Sequence, residues 1–262
     1  MMITDIKEKN TKNNATVSVV MPAYNCEKYI SKAIESVIAQ TYTMWSLIVV
    51  DDCSTDNTLL IAKSYERIDS RIKVFKNGQN QGVARTRNFG IAQAVGDYIA
   101  LLDSDDVWKN TKLEKQMELI EKCGADIVYC SYGFIDENDE QIRVPFIVPE
   151  STSFNKMLRR SVISCSTALV KEYLLKEHIF KHEYYHEDYV LWMELLSIPV
   201  TAVGDTEVLA YYRQLTGSRS YNKLKAAAYR WRIYRDALNL GIVESVVAFA
   251  AYVVNGVIKY RK

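Results

Sequence analysis

Short, almost uninterrupted apolar runs punctuate the first half of this chain, at Val17–Met21 (VSVVM), Leu47–Val50 (LIVV), Tyr98–Leu102 (YIALL) and Asp126–Cys130 (DIVYC). A strand that is apolar at nearly every position, rather than at alternate ones, needs cover on both faces. Between the first two runs Tyr29, Ile30, Ala33, Ile34, Val37 and Ile38 recur at helical spacing. Further helices are expected from the cap candidates Ser54, Thr55 and Asp56 to about Ile68, over Val83–Val95 and over Thr111–Cys123, with a short strand at Ile72–Phe75. Strands alternating with helices predict an α/β fold with a mainly parallel central sheet flanked by helices.

Sheets of this kind bind ligands outside the carboxyl ends of their strands. Those ends carry Tyr24-Asn25, Asp51-Asp52 and Asp103-Ser104-Asp105-Asp106. The clusters are acidic where a phosphate site is normally basic, and a divalent cation resolves that contradiction. Mg²⁺ and Mn²⁺ favour oxygen ligands and share their coordination between one or two carboxylates and substrate phosphates. Two Asp separated by one residue just past a strand suit that task, although an acidic loop capping the next helix explains a lone DxD equally well. Asp51-Asp52 suits a uracil imide or ribose hydroxyls, with Tyr24 stacking on the base, and again competes with a simple helix cap.

Two further segments carry charge in useful places. Asn80–Asn88 (NQGVARTRN) leads through a glycine turn into a helix bearing Arg85 and Arg87, a combination that binds anions. Two residues apart, the arginines point to different faces, so one of them is expected at the nucleotide. Glu187-Asp188, in HEDYVLW, opens a helix expected to run to Ile198. A carboxylate there is placed to take a proton from an attacking hydroxyl, or else only answers the helix dipole.

Beyond Ser131 the pattern is mixed: a hairpin tip at Glu137–Glu140, a strand at Val208–Tyr212, then helices over Lys223–Leu240 and Ile242–Ile258 broken at Gly241. With 33 basic and 32 acidic residues the chain has no general attraction for nucleic acid. The balance is uneven, because from Arg213 onward ten Lys/Arg face only Asp236 and Glu244. Five scattered cysteines without a CxxC pair suit reduced thiols. The first 16 residues form a polar tail without an apolar signal core, and no run of about 20 apolar residues occurs, so a cytoplasmic protein is expected.

Taken together and in order, VSVVMPAYN (17–25), LIVVDDCSTDNT (47–58), NQGVARTRNFG (80–90), YIALLDSDD (98–106) and HEDYVLW (186–192) resemble the inverting family 2 glycosyltransferases of bacterial surface-polysaccharide assembly. The resemblance covers about residues 17–215. It implies a GT-A fold, Rossmann-like, over residues 17–220, with a nucleotide half to about 130 and an acceptor half beyond, followed by a helical extension over 221–262. It implies a nucleotide diphosphate sugar donor, often UDP-linked, and a saccharide or lipid-linked oligosaccharide acceptor. By position, Asp52 resembles the uracil-binding Asp, with Pro22 and Tyr24 lining the base. Asp103 resembles the ribose or metal-shell residue, Asp105 the direct ligand of Mn²⁺ or Mg²⁺, and Asp188 the general base. Asn25, Asp51, Asp106, Glu187 and Arg213 are candidate supporting residues. Two departures stand out. Cys53 replaces a common Gly, and no His follows Tyr212-Arg213 in Gln214–Ser218.

Three rivals compete. His182–His186 spells HExxH, which on a helix would bind zinc with Glu183 as base and Glu207 as third ligand. Asp103–Val107 fits the DxDx[TV] of haloacid-dehalogenase-type phosphotransferases, where one Asp is the covalent nucleophile, but that motif normally opens its domain. A sugar-nucleotide-binding module without turnover differs only at Asp188. Tyr229, Trp231 and Tyr234 among the basic residues of the tail suit peripheral attachment to the inner membrane surface, or else packing on the domain or a dimer.

Overall fold

The computed structural model describes residues 15–215 and 223–261. The polar residues before Ala15 and residues 216–222, including most of the segment in which a His was sought, lie outside them. Ten strands form one sheet in the order β3-β2-β1-β4-β9-β6-β10-β5, with β7 beside β6 and β8 beside β10. The expected runs become β1 (Val17–Ala23), β2 (Trp45–Asp51), β3 (Ile72–Lys76), β4 (Tyr98–Leu101) and β6 (Ile127–Ile135). Strands β3, β2, β1 and β4 are mutually parallel. Helix α1 (Ile30–Ile38) buries Ile30, Ala33, Ile34 and Val37, the stripe its periodicity marks out. Helix α2 (Thr58–Ile68) starts two residues after the expected caps, because Asp56 Oδ1 takes the N–H of Thr58. Helix α3 (Val83–Gln93) lies flush on the sheet at Gly90, where a Cβ would stand 2.6 Å from Val20 Cγ1.

The second half departs from the regular alternation. After β5 (Val107–Trp108) and α4 (Lys112–Cys123), β6 and β7 (Gln141–Phe146) make the expected hairpin. Strand β8 (Ser151–Thr152) and helix α5 (Phe154–Arg159) precede a single 3₁₀ turn at Cys165–Thr167. Strand β9 (Leu169–Lys171) then inserts antiparallel between β4 and β6. Three residues long, it carries no periodicity of its own. Helices α6 (Glu172–Glu177) and α7 (Glu187–Leu195) lead to β10 (Ala202–Arg213), which pairs with β6 in parallel through two bulges.

The tail folds back. Helix α8 (Lys223–Arg232) runs into a π-helical turn at Ile233–Ala237, and α9 (Ile242–Arg261) follows Gly241. Tyr234 is fully buried, Arg230 nearly so, and the Arg230 guanidinium lies 3.5 Å from the Tyr189 ring centroid and 4.9 Å from that of Tyr252. Tyr229 stacks on Tyr185 at 4.8 Å, and Trp231 meets Phe249 edge-on at 5.7 Å. Tyr229, Arg230 and Trp231 of α8, which suited a membrane surface in sequence, therefore serve packing against the domain. Among the described residues no helix is long and apolar enough to cross a membrane.

Candidate active site

A cleft of about 630 Å³ opens at the carboxyl ends of β1, β2 and β4 and is closed by the start of α7. Pro22, Tyr24, Asn25, Asp52, Arg87, Asp103, Asp105, Glu187 and Asp188 all line it. Arg85, Asp51, Asp106 and Arg213, also singled out from sequence, sit behind or beside it.

The first wall is built from loops that brace one another. Asn25 takes a left-handed conformation (φ 47°), and its Oδ1 accepts the N–H of Thr55 at 2.8 Å while its own N–H donates to Ser54 Oγ at 3.0 Å. Cys53 also has positive φ, 63°. That conformation is nearly free for glycine and costly for other residues, so Cys53 carries a backbone cost that a glycine there would avoid. Tyr24 is left half exposed over the cleft, as a base-stacking ring requires. Asp51 is fully buried and turned inward, its Oδ2 accepting the N–H of Ser54 at 3.2 Å.

Asp52 is held more tightly than its sequence role suggests. Its Oδ1 accepts from Asn77 Nδ2 (2.8 Å) and Gln81 N (2.9 Å), and its Oδ2 from Gly82 N (2.8 Å). Three of about four lone-pair sites are then engaged. Asp52 thereby ties β2 to the Asn80–Gly82 turn, where Gly82 has φ 84°. The helix beginning at that turn sends Arg87 into the site and Arg85 away from it, to within 2.8 Å of His182 Nε2.

Arg87 bridges the two walls. Its Nη2 donates to Asp103 Oδ1 at 2.5 Å and its Nη1 to Glu187 Oε1 at 3.1 Å. Both Arg87 and Glu187 are buried. A buried guanidinium facing two carboxylates is compensated in charge, and its planar fork fixes their directions. Glu187 is thereby taken up in the bridge. Asp188, next to it in the first turn of α7, stays partly exposed to the cleft, with its Oδ1 accepting the following N–H at 2.7 Å.

The Asp103–Asp106 turn is clamped at both ends by residues distant in sequence. Ser166 Oγ accepts the N–H of Asp103 (3.1 Å) and donates to Asp106 Oδ2 (2.5 Å). Arg213 N–H donates to Asp106 Oδ1 (2.9 Å), and its guanidinium to the carbonyls of Asp105 (2.8 Å) and Asp136 (2.5 Å) and to Asp139 Oδ1 (2.5 Å). Asp106 is thus a buried anchor rather than an open ligand, and burial, with the charges of Asp105 and Asp103, pushes its carboxyl well above the usual range. Arg213 is almost wholly buried and spent on the protein's own groups, so its support is for the turn. Asp105 is raised to about 6 by burial, then by the charge of Asp103. Among the described residues no Lys or Arg forms an ion pair with it. An acidic oxygen held in a cleft beside another carboxylate, without a protein cation, fits a hard divalent ion.

The zinc reading fails on conformation. His182–His186 forms turns, not a helix, so the i, i+4 face that HExxH needs is absent, and Glu207 pairs with Lys109 at 2.6 Å. Sequence reasoning missed Ser166 altogether, along with the lining residues Ser164, Cys165, Tyr185, His186, Tyr212 and Leu215. Only His186, the first residue of the HEDYVLW motif, and its neighbour Tyr185 carried a signal.

The family described as "Glycosyl transferase family 2" matches residues 18–178. The putative teichuronic acid biosynthesis glycosyltransferase TuaG of Bacillus subtilis is 36% identical over 243 residues, covering 93% of this chain and 96% of that one. This chain belongs to glycosyl transferase family 2. The family 2 enzyme described here is also 36% identical over 244 residues to the Escherichia coli UDP-Glc:alpha-D-GlcNAc-diphosphoundecaprenol beta-1,3-glucosyltransferase WfgD, with 92% of each chain covered. Its fold is that of GT-A transferases. S. aureus TarS 1–349 in complex with UDP-GlcNAc superposes with a TM-score of 0.73 at 23% identity, over 91% of this chain and 71% of that one. The mannosyltransferase PcManGT from Pyrobaculum calidifontis, in complex with GDP-Man and Mn²⁺, gives 0.69 at 16%, over 91% and 69%. As a family 2 glycosyltransferase the chain is an enzyme, and the phosphotransferase and non-catalytic readings lose their footing.

Proposed function

We propose that this glycosyltransferase moves a hexosyl or N-acetylhexosaminyl group from a UDP-sugar to a hydroxyl of a lipid-linked oligosaccharide at the cytoplasmic face of the membrane, inverting the anomeric carbon. One observation carries the reading: Asp105, a carboxylate in no ion pair among the described residues, and Asp188, a carboxylate in the first turn of α7, line one cleft. The UDP and lipid-linked assignments draw on the substrates that the names of WfgD and TarS complexes print.

The uracil lies against Tyr24 and Pro22, with the Asp52-braced turn beneath it. Asp105, with Asp103, would hold Mn²⁺ or Mg²⁺, which when bound neutralises charge on the departing diphosphate. Arg87 holds Asp103 in a fixed direction and adds positive charge at the same point. Asp188 accepts the proton of the acceptor hydroxyl as it attacks, from the first turn of α7. A single displacement from the face opposite the leaving group inverts the configuration.

Calorimetric titration of UDP with Mn²⁺, with EDTA, and with Asp105→Ala plus Mn²⁺ tests the donor side. Metal-dependent binding lost in the variant is expected. Absence of UDP binding in every condition removes the UDP assignment and directs the search to other nucleotides. Product anomeric configuration by NMR then tests inversion.

A further inference from the structure

Helix α9 packs one side on the domain and leaves the other bare. Ser245 and Ala248 are buried, and Phe249 and Tyr252 contact α8. The opposite side presents Ile242, Val243, Val246, Val247, Val253 and Val254, each between 44% and 76% exposed. At 100° per residue these six and Ala250 fall within one apolar stripe about 140° wide, with no polar residue in it from Ile242 to Val254. The exposed side chains amount to roughly 600 Å², the upper end of what monomeric proteins leave uncovered.

We infer that this face of α9 seats in the interfacial layer of an anionic bilayer. Charge favours that occupant. Helix α5, which packs against α9, carries exposed Lys156 and Arg159, and Arg160 follows it. From Ser151 to Val170 there is no acidic residue, and in sequence Lys259, Arg261 and Lys262 follow the apolar stripe. An apolar helical face with basic flanks is what lies in the plane of a membrane, burying its apolar side at the headgroup boundary. A second copy is the weaker occupant, because the stripe lies at the lower edge of the about 600–1,000 Å² per partner of a stable interface and the basic residues beside it would face their own kind. The seat would also set the height of the cleft. Through α8, Tyr229 stacks on Tyr185, which lines the cleft next to His186 and Asp188. The inference deepens the lipid-linked acceptor reading, yet its test does not depend on it.

The full chain is sedimented with vesicles of phosphatidylcholine alone and of phosphatidylcholine mixed with phosphatidylglycerol, at low and high salt. Wild type is expected to bind the anionic vesicles at least about tenfold more strongly at low salt. Val246→Glu/Val253→Glu, at exposed positions that leave the core intact, is expected to lose about tenfold or more. Lys156→Gln/Arg159→Gln/Arg160→Gln should lose the anionic preference and its salt dependence. UDP binding by each variant serves as the folding control. Wild type that stays in solution at low salt, or a valine variant that binds as wild type does, overturns the inference. So does a valine variant that turns a dimer into a monomer without changing vesicle binding, which would give the face to a second copy. Loss of UDP binding in wild type with vesicle binding intact sinks the proposed donor instead.

Discussion

The two walls of the cleft are held by different forces. On the sheet side, each acidic group is fixed by hydrogen bonds from main-chain N–H groups or buried side chains: Asp52 by three, Asp106 by two, the Asp103–Asp105 turn by Ser166 and Arg213. On the α7 side the contacts are faces of rings, with Tyr185 on Tyr229 and Tyr189 under Arg230 and against Tyr234. Hydrogen bonds weaken steeply with angle and distance, whereas stacked rings tolerate an ångström of sliding. The sheet wall, on the donor side of the proposed reaction, is therefore built for one geometry, and the α7 wall, on its proposed acceptor side, can adjust. Arg87 is the rivet between them.

The comparison is broken most directly at Asp188. Asp188→Asn keeps the shape and removes the base, so transfer should fall by about 10²–10⁴ while UDP binding with Mn²⁺ is unchanged. Equal losses in both would mean that the α7 wall shapes the donor site as well. Arg87→Met strikes the rivet. It leaves buried Glu187 and part-buried Asp103 without their cation, and removing one partner of a buried pair costs about 3–5 kcal/mol. Urea unfolding measures this. A loss below about 1 kcal/mol would show that the bridge is not what joins the walls.

Lys112 sharpens the comparison on the stability side. It is fully buried beneath the acceptor half, 3.9 Å over the Trp108 ring and bonded to Gln116 Oε1 at 2.7 Å, and burial lowers its pKa to about 8. Below pH 8 the ammonium is charged both folded and unfolded, and the burial cost is present in full. Between about 8 and 10.5 the folded chain releases the proton while the unfolded chain keeps it, so this contribution to stability rises with pH. Lys112→Met should therefore stabilise the protein by on the order of 2–3 kcal/mol at pH 7, and the gain should shrink towards pH 10. A gain that does not vary with pH would show that packing, not charge, sets it.

The parallel block was legible because its strands are apolar throughout, a pattern only a doubly covered sheet explains, and because the acidic clusters follow those strands directly. Asp105 came from the same logic, whereas Asp188 was picked out by its place at a helix start and by the resemblance of HEDYVLW. Strand β9 was illegible because three residues carry no period, and its place between β4 and β6 depends on partners some 40–70 positions away. Ser166 is one hydroxyl in the unpatterned stretch Ser161–Ala168. Arg213 looked like the first charge of a basic tail, yet its compensating Asp139 lies 74 positions earlier. The aromatic residues of α8 misled for a related reason: rings and guanidinium groups suit a bilayer surface and a protein interface equally. Only the fold shows that α8 turns them inward and that α9 carries the bare face.

The smallest expected effect tests whether the acceptor wall adjusts. Tyr229→Ala removes the ring stacked on Tyr185 at 11° between planes, a contact worth about 0.5–1.5 kcal/mol beyond its area. Tyr185 itself remains, so the cleft keeps its lining but loses the support behind it. Acceptor KM should rise several-fold, with donor KM and UDP affinity unchanged, and Tyr229→Phe, which keeps the stacked ring, should stay close to wild type. If donor KM rises alongside acceptor KM, the slack is not confined to one wall, and Arg87 transmits motion rather than stopping it.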